Sequence, residues 1–192
     1  MTFNSQTIIQ EARADFEKVY KAMKPTWAEN KKVIRETICP VFVPAGFANP
    51  GISMWRWRES FVDLLHFHNM SNSSYFAIDL GCHPRKVSSP HPGPWDCMFW
   101  HRIHYPDKTV FYLGGGFKTA DTIEQEREIL LGVTPYVLDT ALTWWSQFST
   151  IEKAIEFLLE DSEADLEKIT PYIKGSVIFN RNLAILQSLI GR

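Results

Sequence analysis

All six histidines of the chain lie between His66 and His104. His66 and His68 are two residues apart, so on a β-strand both imidazoles point to the same face, and Asp79 falls on the neighbouring predicted strand. Zinc takes three or four nitrogen, sulfur or oxygen ligands at about 2.0–2.3 Å, although this spacing matches none of the usual zinc patterns. A zinc site formed by His66, His68 and Asp79 is therefore an alternative prediction, which would make the protein a small metal-dependent enzyme.

A Trp-Arg-Trp-Arg segment at residues 55–58 alternates aromatic and basic side chains. On a strand the two tryptophans face one side and the two arginines face the other. Arginine beside aromatic rings can bind phosphate or stack on bases. The candidate ligand-binding or phosphate-binding residues are therefore Arg56, Arg58 and Arg102. The alternative is structural, with the tryptophans in the core and the arginines paired with Glu59 or Asp63.

The C-terminal third of the chain is acidic. Residues 121–192 carry 12 acidic and 6 basic side chains, whereas residues 1–120 carry 10 acidic and 14 basic ones. Glutamates at spacing four share one helix face, where like charges repel by a few tenths of a kcal/mol per pair. Such a stripe is either a solvated face or a docking surface for a basic protein. The predicted partner-binding residues are Glu152, Glu156, Glu160, Asp161 and Glu163.

No catalytic motif accompanies the three cysteines, Cys39, Cys82 and Cys97. Their odd number and wide spacing predict reduced thiols, and we find neither a nucleophile elbow nor an activated-thiol motif. Residues 1–10 lack the features of a secretory signal, and no apolar run reaches the roughly 18–20 residues of a membrane helix. We therefore expect a cytoplasmic protein outside the membrane. The net charge of −2 makes nucleic acid an unexpected partner.

Strand-like segments that must position these side chains fill the middle of the chain. The first three are residues 54–58, 60–69 and 74–82. A polar tetrad between the second and third suits a hairpin loop that pairs Asn69 with Ser74. This register places six apolar side chains on one face, and their agreement supports it. These side chains are Phe61, Leu65, Phe67, Phe76, Ile78 and Leu80.

A long loop with four prolines is predicted at residues 84–94. Long loops in compact domains are often functional, so a ligand bound in a cleft under this loop is a third possibility. Beyond the loop, residues 97–104 and 109–113 predict a second hairpin with its turn at Pro106 and Asp107.

Both ends of the chain are predicted to be helical. Thr26 with Glu29 forms a capping box, Ser149 begins a second one, and Thr134 with Pro135 forms an N-cap and N1 pair. The predicted helices are residues 5–23, 27–39, 121–131, 134–145, a segment beginning after Ser149, residues 162–172 and residues 176–190.

The order of elements predicts an α+β fold, with a central antiparallel sheet flanked by N-terminal and C-terminal helices. We expect one domain over residues 1–192, with N-terminal helices at 1–45, the sheet at 46–118 and the acidic helical part at 119–192. A chain of 192 residues, 45% of them apolar, can bury a sizeable core.

A set of motifs over residues 33–113 resembles a bacterial family known as domain of unknown function 4304. The motifs are Gly46-Phe47, Trp55-Arg56-x-Arg58, Phe61-x-Asp63, Phe76-x-Ile78-Asp79-Leu80-Gly81-x-His83-Pro84 and residues 97–103. The resemblance implies an α+β fold and carries no established activity, so it transfers no catalytic residue. Small cytosolic families of this kind often serve as immunity proteins beside bacterial toxins.

We therefore expect a non-enzymatic protein-binding module, of the kind that a toxin-neutralising immunity protein would be. Its expected partner is a protein, such as a basic toxin domain, and it needs no cofactor. Zinc belongs only to the alternative of a metal-dependent enzyme.

Overall fold

The computed structural model describes residues 25–49, 51–70, 75–112, 115–161 and 177–191. It shows an antiparallel β-sheet together with helices, which confirms the predicted α+β class. The helices predicted at residues 5–23 and 162–172 lie outside the described residues, as does Glu163.

Among the described residues, six strands form the sheet in the order β1-β2-β3-β6-β5, and β4 also pairs with β3. β4 lies along Asp79 to Cys82 of β3, whereas β6 lies along Tyr75 and Phe76, so the two share one edge of β3. The strands are β1 (Ser53–Trp57), β2 (Phe61–Met70), β3 (Tyr75–Pro84), β4 (Phe99–Arg102), β5 (Phe111–Tyr112) and β6 (Gly116–Lys118).

The β2–β3 hairpin is present, with a register two residues away from the predicted one. Asn69 pairs with Phe76 and Met70 with Tyr75, whereas the sequence predicted Asn69 opposite Ser74. A shift of two residues preserves the face of every side chain, because side chains alternate with a period of two. The predicted apolar face is therefore correct although the pairing is wrong.

The predicted second hairpin is wrong. β4 pairs with β3, and β5 pairs with β6 rather than with β4. The Asp107 carboxylate accepts the backbone N–H of Thr109 at 2.8 Å, and this turn separates β4 from β5. Gly115, at φ +90°, lies in the connection between β5 and β6 and adopts a conformation that other residues reach with difficulty.

In the described part of the chain, two helices precede the sheet, α1 (Trp27–Thr37) and α2 (Cys39–Phe42). The capping box at the start of α1 is confirmed, since Thr26 N–H donates to the Glu29 carboxylate at 2.7 Å and the Thr26 hydroxyl accepts Glu29 N–H at 3.3 Å. Pro40 does not end the helical region. It lies in the first turn of α2, where its missing N–H leaves no bond unmade.

The helix α3 (Ile123–Ser146) is continuous, although the sequence predicted two helices with Thr134 as an N-cap. The Thr134 hydroxyl instead donates to the carbonyl of Leu130 at 2.6 Å. Pro135 removes one N–H donor within the helix, and the carbonyl that would have accepted it belongs to Leu131, an exposed residue. Solvent can therefore satisfy the unpaired carbonyl.

The last two described helices are α4 (Ile151–Asp161) and α5 (Val177–Leu189). α4 begins after Thr150, whose hydroxyl accepts Lys153 N–H at 3.3 Å, rather than after the predicted Ser149. Ala154 and Leu158 of α4 are buried in the core.

One face of the sheet, which we call the helix-covered face, packs against the helices. Phe61 of β2 and Phe99 of β4 both contact Phe148, with ring centroids 6.5 and 4.4 Å apart. The Trp145 indole N–H donates to the Gly81 carbonyl at 3.0 Å. Each buried aromatic side chain contributes roughly 1.5–3 kcal/mol. The other face, which we call the loop-covered face, carries His66 and the two tryptophans of β1.

Candidate functional site

Two indole N–H groups hold the proline-rich loop on the loop-covered face. Trp55 donates to the carbonyl of Pro92 at 3.0 Å, and Trp57 donates to the carbonyl of Pro90 at 2.9 Å. The His91 ring lies between them, 4.9 Å from the Trp55 ring and 5.4 Å from the Trp57 ring, at nearly right angles to both. The predicted alternation of β1 is confirmed, and its two tryptophans anchor the loop.

The anchored loop presents Trp95 to solvent. Trp95 lies in the short 3-10 turn Pro94–Asp96 and is 88% exposed, the most exposed large apolar side chain in the described ranges. The Asp96 carboxylate accepts Gly93 N–H at 2.9 Å and so closes this turn. Met98 N–H donates to His83 Nδ1 at 3.0 Å where the loop rejoins the sheet. The turn therefore fixes the backbone at Trp95.

A groove of about 570 Å³ separates the loop from α5. Its lining includes Val87, Trp95, Asp96, Met98, Arg181 and Ile185. The buried amide of Asn182 donates to the Met98 carbonyl at 3.5 Å and joins α5 to the end of the loop. Burial lowers the pKa of His83 at the groove wall below its usual value, so this imidazole is neutral near pH 7.

A second polar feature, which we call the histidine cluster, consists of Ser53, His66, His68, Asp79 and Arg102 on the loop-covered face. Asp79 is 3% exposed; its carboxylate accepts His68 Nδ1–H at 2.7 Å and Arg102 Nε–H at 2.8 Å. His66 Nδ1 bonds to the Ser53 hydroxyl at 2.8 Å, and the two imidazoles stack at 5.9 Å. The register brings together the three predicted metal ligands.

The bonds within the histidine cluster leave little room for a cation. The Arg102 guanidinium bonds both Asp79 oxygens, at 2.8 and 3.3 Å, so a cation there would be repelled by a fixed positive charge. Within the described part of the chain no three His, Cys, Asp or Glu side chains are placed to share a metal ion. Burial lowers the pKa of His66, and nearby His68 lowers it further.

The three arginines predicted to bind phosphate do not share a surface. Arg56 and Arg58 both bond to Asp63 on the helix-covered face, at 2.7 Å each, as the structural alternative predicted. Its placement of the tryptophans in the core is wrong, since Trp55 is half-buried and Trp57 is exposed. Asp63 is fully buried, and Arg58 also donates to the carbonyl of Phe148 at 2.8 Å. Arg102 lies on the opposite face, in the histidine cluster. A common basic groove is therefore not formed by these residues.

The three cysteines are free thiols. Burial raises the pKa of Cys39 to about 11 and that of Cys97 to about 12. Burial also raises the pKa of Cys82, which is wholly enclosed. A protonated thiol is a poor nucleophile. The Cys97 sulfur packs so closely on Gly81 that a Cβ atom there would overlap it.

The acidic stripe lies on the outer side of α4. Glu152, Glu156 and Glu160 are exposed, while Ala154 and Leu158 on the inner side are buried. Asp161 is the last residue of α4, and its side chain lies outside the described part, as does the whole of Glu163.

We compared the chain with protein-family models, with curated proteins and with solved structures. None of the three comparisons found a match. The resemblance of residues 33–113 to domain of unknown function 4304 therefore stays a prediction. No helix in the described ranges is long and apolar enough to cross a membrane.

The sequence predicted a cleft under the proline-rich loop, and the structure has a groove beside that loop, but the sequence did not identify Trp95, the α5 wall of the groove or the role of Ser53. A tryptophan between Pro94 and Asp96 inside a proline-rich loop was a usable signal, because a turn-forming context places a large apolar side chain at the surface. The groove needs Arg181 and Ile185 from α5, some 90 positions away, which no local pattern reveals.

Proposed function

We propose that the chain is a non-enzymatic protein-binding module that binds a basic protein through the outer face of α4. The observation that carries the proposal is the set of exposed carboxylates on that face, Glu152, Glu156 and Glu160. Neither Glu156 nor Glu160 lies within 4 Å of a basic side chain among the residues that the structure describes. The negative charge of Glu156 and Glu160 is therefore available to an incoming partner.

The packing of α4 supports a docking surface that keeps its shape. Its inner side is held by Leu158 and by Phe157, whose ring lies 4.8 Å from that of Phe148 and 5.8 Å from that of Phe99. Leu159 is 40% exposed beside the glutamates and offers apolar area within a charged rim. An apolar centre with a polar rim is the usual composition of protein interfaces.

The chemistry of the described polar groups favours binding over catalysis. The cysteine thiols are protonated near pH 7, and the carboxylate of the histidine cluster is already occupied by His68 and Arg102. An acidic surface accelerates encounter with a basic partner and disfavours acidic competitors. A bacterial immunity protein that neutralises a basic toxin domain in the cytoplasm is the specific form of this proposal, and the family resemblance supports it.

The test is native mass spectrometry on tagged chain purified gently from its own cells. The variant carries Glu152→Lys, Glu156→Lys and Glu160→Lys. The matched control carries Glu124→Lys, Glu128→Lys and Asp139→Lys on the exposed surface of α3, with the same change in net charge. Circular dichroism checks that both fold.

We expect wild type and control to retain a stoichiometric basic protein and the α4 variant to lose it. The affinity of the α4 variant should fall at least about tenfold, and the effect should shrink as salt rises. A wild-type chain that carries no protein, or an α4 variant that binds as well as the control, would overturn the proposal.

A further inference from the structure

Trp95 and the groove beside it form a surface with a different character from the face of α4. Trp95 is 88% exposed, and Val87 in the same lining is 48% exposed. Tryptophan is seldom left in water to this extent, and it is the residue most enriched among the anchors of protein interfaces. The hydrogen bonds of Trp55 and Trp57 restrain the backbone of the loop that carries this side chain, so little backbone conformational entropy is lost when it is covered.

The groove is large enough to receive such an anchor. Its volume of about 570 Å³ falls within the roughly 300–1,000 Å³ that is usual for clefts that enclose a ligand. Val87, Met98 and Ile185 supply apolar lining, and Ser88, Ser89 and Asn182 supply polar lining. Trp95 stands at the edge of the groove with most of its surface in solvent and therefore does not fill it.

The two walls of the groove carry opposite charges. Asp96 is exposed on the loop wall and Arg181 is exposed on the α5 wall. The Asp96 carboxylate accepts Gly93 N–H at 2.9 Å, and the Arg181 guanidinium donates to the side-chain amide oxygen Oδ1 of Asn182 at 3.4 Å. No ion pair within 4 Å joins Asp96 to Arg181 among the described residues.

We infer that this surface is the interface of a twofold homodimer, in which Trp95 of each copy enters the groove of the other and Asp96 faces the second copy's Arg181. A twofold interface must be complementary to itself, and this patch holds an apolar projection, a groove with both apolar and polar lining, an acid and a base side by side. A uniformly basic partner would meet Arg181 with repulsion and therefore suits the face of α4 better. The inference does not rest on the proposed function, because it uses a different surface.

The first test is sedimentation equilibrium of the full chain over a micromolar concentration series. Wild type is expected to associate as a dimer, and Trp95→Ala is expected to raise the dissociation constant at least about 30-fold. Leu131→Ala removes another exposed apolar side chain, on α3, and should leave the constant unchanged. At concentrations low enough for every chain to be monomeric, both variants should keep the wild-type unfolding midpoint, because Trp95 and Leu131 are both exposed. A wild-type chain that stays monomeric overturns the inference.

A charge exchange tests the twofold pairing. A dimer of the Asp96→Arg variant would place arginine opposite Arg181 at both contacts. A dimer of the Arg181→Asp variant would place aspartate opposite Asp96 at both contacts. Each variant alone should therefore be monomeric. In a mixture of the two, one heterodimer contains two opposite-charge pairs. Recovery of a dimer in the mixture supports the geometry. A mixture that stays monomeric, or single variants that dimerise as wild type does, would overturn it. Partner capture through α4 is measured separately, so failure of one proposal leaves the other standing.

Discussion

The indole N–H of Trp57 donates to the carbonyl oxygen of Pro90 at 2.9 Å, across 33 positions of the chain. Together with the bond from Trp55 to Pro92, it fixes a loop that would otherwise have many conformations. The alternation of tryptophan and arginine in β1 therefore serves both faces of the sheet. Its tryptophans bind the loop, and its arginines neutralise Asp63 beneath the helices.

Trp57→Phe should loosen the proline-rich loop, because phenylalanine keeps an aromatic ring and lacks the N–H donor. We expect a loss of about 0.5–1.5 kcal/mol in the free energy of unfolding and faster hydrogen exchange over residues 85–98. Exchange measured by mass spectrometry checks the second effect. Tyr136→Phe removes a comparable bond to the His104 carbonyl and serves as control, since the loop should exchange as in wild type. Equal protection of the loop in both variants would contradict its anchoring by Trp57.

Asp63→Asn should destabilise the protein strongly. The carboxylate is fully buried between Arg56 and Arg58, so the substitution leaves two guanidinium charges without their counterion. Loss of one member of a buried ion pair costs about 3–5 kcal/mol, which urea unfolding measures directly. Glu59→Gln changes an exposed neighbour and should alter stability by less than about 0.5 kcal/mol. A comparable, small effect at both positions would show that Asp63 does not hold the arginines.

Stability should fall in alkaline solution as the cysteines of the unfolded chain ionise. The folded state raises the pKa of Cys39 to about 11 and that of Cys97 to about 12, whereas an unfolded cysteine titrates near about 8.5. As pH rises, the unfolded chain therefore releases its thiol protons at a lower pH than the folded chain does. The stability contributed by the protonated thiols is fully present below the unfolded pKa and is lost as the pH rises to the folded pKa values. Urea unfolding of wild type and Cys39→Ala across this range should converge as pH rises. A constant difference between them would refute the assignment.

Zinc binding should be suppressed by Arg102. Its guanidinium holds the Asp79 carboxylate beside His68, so Arg102→Met should free that carboxylate and raise the affinity for zinc at least about tenfold. Isothermal titration of both proteins with zinc measures the change. His66→Ala and His68→Ala in the Arg102→Met background should abolish the gain. Stoichiometric zinc in the purified wild type, lost on changing both histidines, would instead establish the metal-dependent alternative.

Local sequence patterns correctly predicted the structural features that depend only on residues close together in the chain. The capping box of Thr26 and Glu29 and the two faces of the β2–β3 hairpin follow from hydrogen-bonding geometry and from the period of two. The continuity of α3 through Pro135 could not be predicted in this way. The packing of Val133, Val137 and Ala141 in the core outweighs the loss of one backbone hydrogen bond. Tertiary burial overrides a local helix-breaking signal in this case.

The candidate site was less accessible to sequence reasoning than the fold. His66, His68 and Asp79 are indeed brought together, because their strands are neighbours in sequence and in space. The position of Arg102 could not be predicted from the sequence, because Arg102 reaches Asp79 only when β4 pairs with β3 rather than with β5. The α5 wall of the groove beside Trp95 was missed for the same reason, since the groove joins the proline-rich loop to a helix far along the chain.

The bond from Arg58 to the carbonyl of Phe148 spans 90 positions and ends three residues before the start of α4. The direction in which α4 leaves the sheet is thereby set at the end of β1. Substitutions at Asp63 or Arg58 would then change the orientation of α4 and of its glutamates, although no glutamate is itself substituted. Affinity for a partner would in that case depend on the buried carboxylate of Asp63, which the partner does not contact.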